Sequence, residues 1–301
     1  MPWQQLIIQA IPDKVDAISS LLSSLDAAAV TLSDNIVDGK EQPIFEPERG
    51  TTPLWDATLV TALFADNTDF DAIITQLTGL LGTAPIYTIT PLEDQDWTRA
   101  WMDDFKPMQF GEHLWIIPSH HHDEQQHTDP DAVNIHLDPG LAFGTGTHPT
   151  TAMCLSWLDS HPPQNVTVLD YGCGSGILAI AAAKLGAKTV YAVDNDPQAI
   201  DATQANARQN HINDINTFLP ADFAGEQADL QVDVLLANIL AEPLLQLAPV
   251  FNSHCMPGSH VVLAGLLASQ AAEIQQAYAQ WCKLEIVAQT NDWVCLHGQC
   301  L

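Results

Sequence analysis

The sequence predicts an α/β protein in which a doubly wound, mostly parallel sheet follows a smaller α+β domain of ferredoxin-like order. From residue 166 onward, short apolar strands alternate with helical stretches, the pattern of a parallel sheet with helices on both faces. Within that run, Val168-Leu169-Asp170-Tyr171 leads into Gly172-Cys173-Gly174-Ser175-Gly176 ahead of a helical segment. Such a strand, glycine turn and helix build a nucleoside pocket. The first ninety or so residues read β-α-β-β-α-β, which is the ferredoxin-like sequence of elements. At 301 residues the chain exceeds the usual single domain. We divide it into a domain at 1–92, a linker helix at 93–107 and the nucleoside-binding domain at 108–301.

The elements follow from periodicity. Residues 3–10 suit a strand, and 12–25 a helix with Val15, Ile18, Leu21, Leu22 and Leu25 at helical spacing. Strands are predicted at 28–33 and 54–64, a helix over Asp69 to Leu81 with Ile73, Ile74 and Leu77 on one face, and a strand at 85–90. The acidic and aromatic stretch from Glu93 through Trp97 and Trp101 to Pro107 suits the connecting helix. Residues 113–117 and 133–137 read as paired strands on either side of the histidine-rich run 119–127. That run lacks the fixed geometry of a metal site and is read as a loop. A helix is predicted from Thr150 to Leu158. Strands then alternate with helices: 166–170, 176–185, 189–193, 197–209, 232–237, 242–251, 260–265 and 268–281, closing with strands at 284–289 and 292–297.

Hydrophobic residues make up 47% of the sequence, enough for a sizeable core, and no apolar run approaches the roughly 20 residues that cross a bilayer. Met1-Pro2-Trp3 opens the chain without a basic stretch and apolar segment, so a cytoplasmic protein is expected. The six cysteines form no C-x-x-C pair and are read as reduced, mostly buried thiols. Nine Lys and Arg against 37 Asp and Glu give a formal charge of −28, which disfavours direct binding to nucleic acid. A basic partner protein, an adaptation to cold or salt, or simple solvation accounts for that surface. No repeat or coiled-coil pattern calls for an oligomer, so a monomer is expected.

The chemistry gathers where strands end. Bare glycines let Gly172, Gly174 and Gly176 turn sharply, with free amides at the start of the next helix facing the pocket. Dinucleotide sites space their glycines G-x-G-x-x-G; here the third glycine comes one residue early and Ile177 takes the other slot. Asp194 ends the strand Thr189 to Val193 roughly 20 residues past Gly172, where a carboxylate meets ribose hydroxyls. Asp196 and Pro197 suit the cap and first position of the following helix. Asp222, after Leu219-Pro220-Ala221, is either a carboxylate beside the base or an ordinary loop residue. Asn238 ends an apolar strand, placed to accept hydrogen bonds from an amine or else to cap the helix near Glu242-Pro243. Residues 137–151 are rich in glycine and threonine and suit a lid that includes Phe143, Thr145 and Thr151.

Four segments together carry a resemblance: Leu137-Asp138-Pro139-Gly140-Leu141-Ala142-Phe143-Gly144-Thr145-Gly146-Thr147-His148-Pro149-Thr150-Thr151; Gly172 through Ile180; Val193-Asp194-Asn195-Asp196-Pro197; and Ala237-Asn238-Ile239-Leu240-Ala241. The chain resembles the bacterial ribosomal protein L11 methyltransferases, over nearly its whole length. Trp97 through Gly111 and Asn291-Asp292-Trp293-Val294 extend the likeness. The resemblance implies a Rossmann-like class I methyltransferase domain and S-adenosylmethionine as cofactor. It implies amino groups of the basic ribosomal protein L11 as substrate, held by the N-terminal domain. Carried over by position, Thr151, Gly172, Asp194 and Asn238 would contact the cofactor. The residues themselves add Gly174, Gly176, Phe143, Thr145 and Asp222 to the expected cofactor site, with Asn238 expected to be catalytic. After Pro118 the family shows an aromatic and basic pair, whereas this chain has Ser119 and the histidine run, so that loop receives no role. An NAD-dependent oxidoreductase is disfavoured by the glycine spacing. Another protein-amine or small-molecule methyltransferase, and a non-catalytic module that docks on a ribosomal protein, are the alternatives.

Overall fold

The computed structural model describes residues 3–36, 54–92, 106–118, 131–138 and 146–301. The chain forms two compact units, Met1–Trp97 and Thr98–Leu301. The connecting helix expected at 93–107 lies, except for Lys106 and Pro107, outside the described residues, as do the histidine-rich run, Phe143 and Thr145.

The first unit runs β1 (Trp3–Ala10), α1 (Pro12–Ser24), β2 (Ala29–Asp34), β3 (Thr58–Ala65), α2 (Phe70–Leu81) and β4 (Tyr87–Leu92). Its sheet has the order β2-β3-β1-β4 with every pair antiparallel, the ferredoxin-like arrangement. Alternation sends Leu6, Ile8, Val60, Ala62 and Phe64 to one face, where Val15, Ile18 and Leu22 of α1 and Ile73 and Leu77 of α2 cover them. The Asp69 side chain accepts the Ala72 N–H at 3.2 Å, which caps α2, and Gly82 closes the helix at φ 75°, a left-handed value that glycine adopts without strain.

The second unit opens with a small sheet of β5 (Met108–Phe110), β6 (Leu114–Ile117) and β7 (Val133–His136). The expected partners β6 and β7 do pair, in parallel. After α3 (Pro149–Ser160) come β8 (Thr167–Tyr171), α4 (Ile177–Lys184), β9 (Thr189–Val193), α5 (Pro197–Gln209), β10 (Ile215–Phe218), α6 (Pro220–Glu226) and β11 (Val232–Asn238). Then follow α7 (Ala241–His254), β12 (Cys255–Leu267), α8 (Ala271–Tyr278), β13 (Glu285–Thr290) and β14 (Trp293–Gln299). The large sheet has the order β10-β9-β8-β11-β12-β14-β13; β14 is antiparallel to both neighbours, and the other pairs are parallel. The chain steps outward from β8 to β10, then returns to lay β11 against the other side of β8. That reversal is the switch point where such sheets bind ligands.

Both faces of the central strands β8, β11 and β12 are dry over most of their length, so these strands read as continuous apolar runs. In β11, Leu236 packs with Leu155 and Leu158 of α3 and Ile180 of α4, while its neighbour Leu235 packs with Leu244 and Phe251 of α7 and Ile274 of α8. Two elements differ from expectation by their presence. Strand β10 is short and mostly half-buried, without the apolar run that marks a central strand. Helix α6 buries only Phe223. The helix expected over 268–281 splits into a 3₁₀ turn at Ala268–Gln270 and α8, and the Leu267 N–H donates to Gln270 Oε1 at 2.8 Å. The strand expected at 260–265 extends to Cys255–Leu267, with a register shift against β14 between Leu263 and Leu266. Because Leu236 is fully buried (0% exposed), Leu236→Ala should lower stability in urea unfolding by about 2–5 kcal/mol.

Candidate functional site

The candidate site lies where β8, β9 and β11 end. Gly172, Gly174 and Gly176 all have left-handed φ values, 84°, 54° and 80°. A side chain at Gly172 would run into Ile239, and one at Gly176 into Thr203. The loop is therefore glycine partly because the protein packs tightly behind it. Its amides are not free as the sequence suggested. Those of Gly172 and Cys173 donate to the Val193 carbonyl at 2.7 and 3.0 Å, and that of Gly176 to the Cys173 carbonyl at 2.8 Å. The Gly174 amide donates to Asp194 Oδ2 at 2.9 Å.

Asp194 is thereby fixed. Its second oxygen, Oδ1, accepts the Asp196 amide at 3.0 Å. The neighbouring Asp196 is the helix cap expected from sequence, accepting the Gln198 N–H at 2.9 Å ahead of Pro197. Each carboxylate oxygen of Asp194 keeps a further lone pair for a ligand. Thr203 and Asn206 of α5, which sequence reasoning passed over, hold the loop from behind: Thr203 Oγ1 donates to the Gly174 carbonyl at 3.1 Å, and Asn206 Nδ2 to the Ser175 carbonyl at 2.8 Å. A sequence signal existed, since Thr203 is a hydroxyl at helical spacing between the buried Ala199 and Ala207.

Asn238 does not cap α7, whose cap position is Leu240 and carries no side-chain bond. Its Nδ2 instead donates to Thr151 Oγ1 at 3.1 Å, and its buried Oδ1 has no hydrogen-bond partner. Thr151 is itself fully buried in α3, so it aims the Asn238 amide. At the start of α3, His148 Nδ1 lies 2.7 Å from Thr150 Oγ1 and the ring meets Trp293 edge-on at 4.9 Å. This anchors the carboxyl end of the 137–151 segment. Asp222 stands exposed in the first turn of α6, next to the buried Phe223, which packs against Tyr171 and Phe218.

Asp170, at the end of β8, is 1% exposed. Its Oδ2 accepts the Ala179 N–H at 3.0 Å, and its Oδ1 has no partner. Burial pushes its carboxyl up to about 7; the Ala179 bond opposes this and the Asp194 charge adds to it. A loop whose Gly172, Gly174 and Gly176 amides are consumed and whose Gly174 amide is held by the Asp194 carboxylate offers little to a phosphate and more to a cation.

The raised Asp170 value has a sign. The folded chain holds the proton more tightly than the unfolded chain, whose aspartate titrates near about 3.9. This stabilisation is whole below about pH 4 and is lost as pH rises through about 7. Asp170→Asn keeps an acceptor for Ala179 without the titration. Urea unfolding across that window should show wild-type stability falling relative to the variant by up to about 4 kcal/mol.

The chain matches the model of the family Ribosomal protein L11 methyltransferase (PrmA) over residues 2–300. A ribosomal protein L11 methyltransferase of Shewanella sp. (strain W3-18-1) is 50% identical over 302 residues, covering 99% of both chains. That of Marinobacter nauticus is 46% identical over 306 residues, again covering 99% of each. The crystal structure of a ribosomal protein L11 methylase from Lactobacillus delbrueckii subsp. bulgaricus, 35% identical, superposes with a TM-score of 0.59 over 65% of this chain and 99% of that one. Its full-length agreement with these proteins shows that the chain belongs to the ribosomal protein L11 methyltransferase family.

Proposed function

We propose that this protein methylates amino groups of ribosomal protein L11, lysine side chains or the N-terminal amine, with S-adenosylmethionine as methyl donor. The observation that carries the reading is the electrostatics of the glycine loop. Its amides at Gly172, Gly174 and Gly176 are satisfied internally, whereas Asp194 stands close enough to Asp170 for its charge to raise the Asp170 carboxyl further. That arrangement fits a cationic nucleoside better than a pyrophosphate, which needs free amides. The bound cofactor supplies a methyl group activated by a sulfonium.

In this reading Asp194 grips the ribose hydroxyls through charge-assisted bonds, already oriented by the Gly174 and Asp196 amides. Gly172, Gly174 and Gly176 shape the cradle, Asp222 lies beside the base, Phe143 and Thr145 belong to the segment that closes over the cofactor, and Thr151, buried in α3, backs the Asn238 amide. Asn238 is the catalytic residue. With Nδ2 tied to Thr151, its unpartnered Oδ1 is the acceptor for an N–H of the incoming amine.

The amine must arrive unprotonated, although a free lysine titrates near about 10.4. Lowering that by about three units takes roughly 4 kcal/mol, which burial beside a cation supplies. The acidic surface, at a formal charge of −28, works differently: it draws a basic substrate toward the enzyme over a screening length of about 8 Å at physiological salt. We assign substrate holding to the N-terminal domain at 1–92, with 93–107 as the linker and 108–301 as the transferase domain. The reading further takes the protein as a cytoplasmic monomer that does not bind nucleic acid directly. No described helix is long and apolar enough to cross a membrane.

Mass spectrometry of purified L11 after incubation with enzyme and S-adenosylmethionine should show added methyl groups on amines; unmodified L11 at full enzyme saturation would overturn the assignment. Asn238→Ala should lose roughly 100-fold in turnover at saturating cofactor, as expected for a misplaced reactant. Wild-type turnover in that variant removes Asn238 from catalysis.

A further inference from the structure

Cys255, Cys282 and Cys300 meet in the core that faces α7 and α8. Cys255 begins β12, so the cluster sits at the end of the sheet opposite the glycine loop. All three are free thiols. Cys282 and Cys300 oppose each other across an antiparallel bridge. The Leu301 N–H donates to the Trp281 carbonyl at 2.8 Å, which puts the hydrogen bond just outside the pair and makes it the narrow kind. Facing residues in a narrow pair have Cα atoms about 4.5 Å apart, inside the range of roughly 4.4–6.8 Å that a disulfide spans. The interaction with the Cys255 and Cys282 thiols holds the Cys300 thiol below its ordinary range and pushes theirs up. Cys282 is fully buried, but Cys255 is half-buried and Leu301, beside Cys300, is 70% exposed. Cys300 itself is buried at 9% exposed, so a small reagent would reach it from the side of the half-buried Cys255 and the exposed Leu301. Among the described residues no group of three His, Cys, Asp or Glu has metal-site geometry.

We propose that this cluster is a thiol-oxidation site at which Cys300 and Cys282 form a disulfide on reaction with a low-molecular-weight disulfide. Cys300, as thiolate, attacks one sulfur of the reagent, whose S–S bond breaks and releases one thiolate. Cys282 then gives its proton to solvent and attacks the Cys300 sulfur of the mixed disulfide, releasing the second thiolate. The two protein thiols lose two electrons and two protons, and the reagent ends as two thiols. Cys255 stabilises the attacking sulfur by donating its S–H and is not joined. Cys154 and Cys295, which also contact each other, are both 0% exposed and stay reduced.

The test incubates the full-length protein with oxidised glutathione, alkylates the remaining thiols and maps peptides without reduction. The expected result is loss of two of the six alkylatable thiols, a Cys282–Cys300 crosslink, and recovery of both thiols with dithiothreitol. Cys282→Ser should stop at a glutathione adduct on Cys300. Six alkylatable thiols after treatment, or a crosslink that leaves Cys282 alkylated, would overturn the proposal. The wild-type arm stands alone if the variant does not fold.

Discussion

The Asp194 carboxylate, held between the Gly174 and Asp196 amides, is the interaction on which the site depends. It ties the turn after β8 to the end of β9, takes up an amide that would otherwise point at a ligand, and leaves a fixed negative charge in its place. The Val193 carbonyl does the same for Gly172 and Cys173. A loop that outwardly resembles a phosphate cradle is thereby converted into one suited to a positively charged nucleoside. Asp170, buried at the end of β8, is pushed toward neutrality chiefly by its burial, with the Asp194 charge adding a smaller part, so the standing negative charge at the loop is that of Asp194.

Crowding explains the glycines as much as ligand binding does. Ile239, the residue after Asn238, reaches over Gly172 with its side chain and abuts Gly265 of β12 with its backbone. Gly265 has φ 84° and falls in the register shift between β12 and β14. The ends of three neighbouring strands thus converge on Ile239, the residue next to Asn238. Thr151 bonds the Asn238 amide from α3 across a sequence separation of 87 residues. Under the proposed role of Asn238, an acceptor fixed on a strand end and backed by the buried Thr151 hydroxyl would orient a nucleophile, a contribution that alignment alone can make large.

Much of this was legible in the sequence, for local reasons. The apolar runs of β8, β9 and β11 and the Asp196-Pro197 start of α5 announce themselves because propensity, capping and burial agree. The glycine motif, Asp194 and Asn238 could be placed at strand ends for the same reason. What escaped depends on distant partners. Whether Asn238 caps a helix or bonds Thr151 is decided by packing between α3 and β11, and the fate of the loop amides by where the β9 carbonyls fall. Strand β10 and α6 escaped because neither buries enough apolar surface to mark itself. The grouping of Cys255, Cys282 and Cys300 is invisible at their spacing and appears only when β12 and β14 pair.

The most direct test of the account is a calorimetric titration of S-adenosylmethionine into the purified protein and into Asp194→Ala. The account predicts saturable one-site binding to the wild type, weakened roughly 10- to 100-fold in the variant by loss of charge-assisted bonds worth about 1.5–3 kcal/mol. Absence of saturable binding to the wild type, or equal affinity in the two proteins, would contradict it.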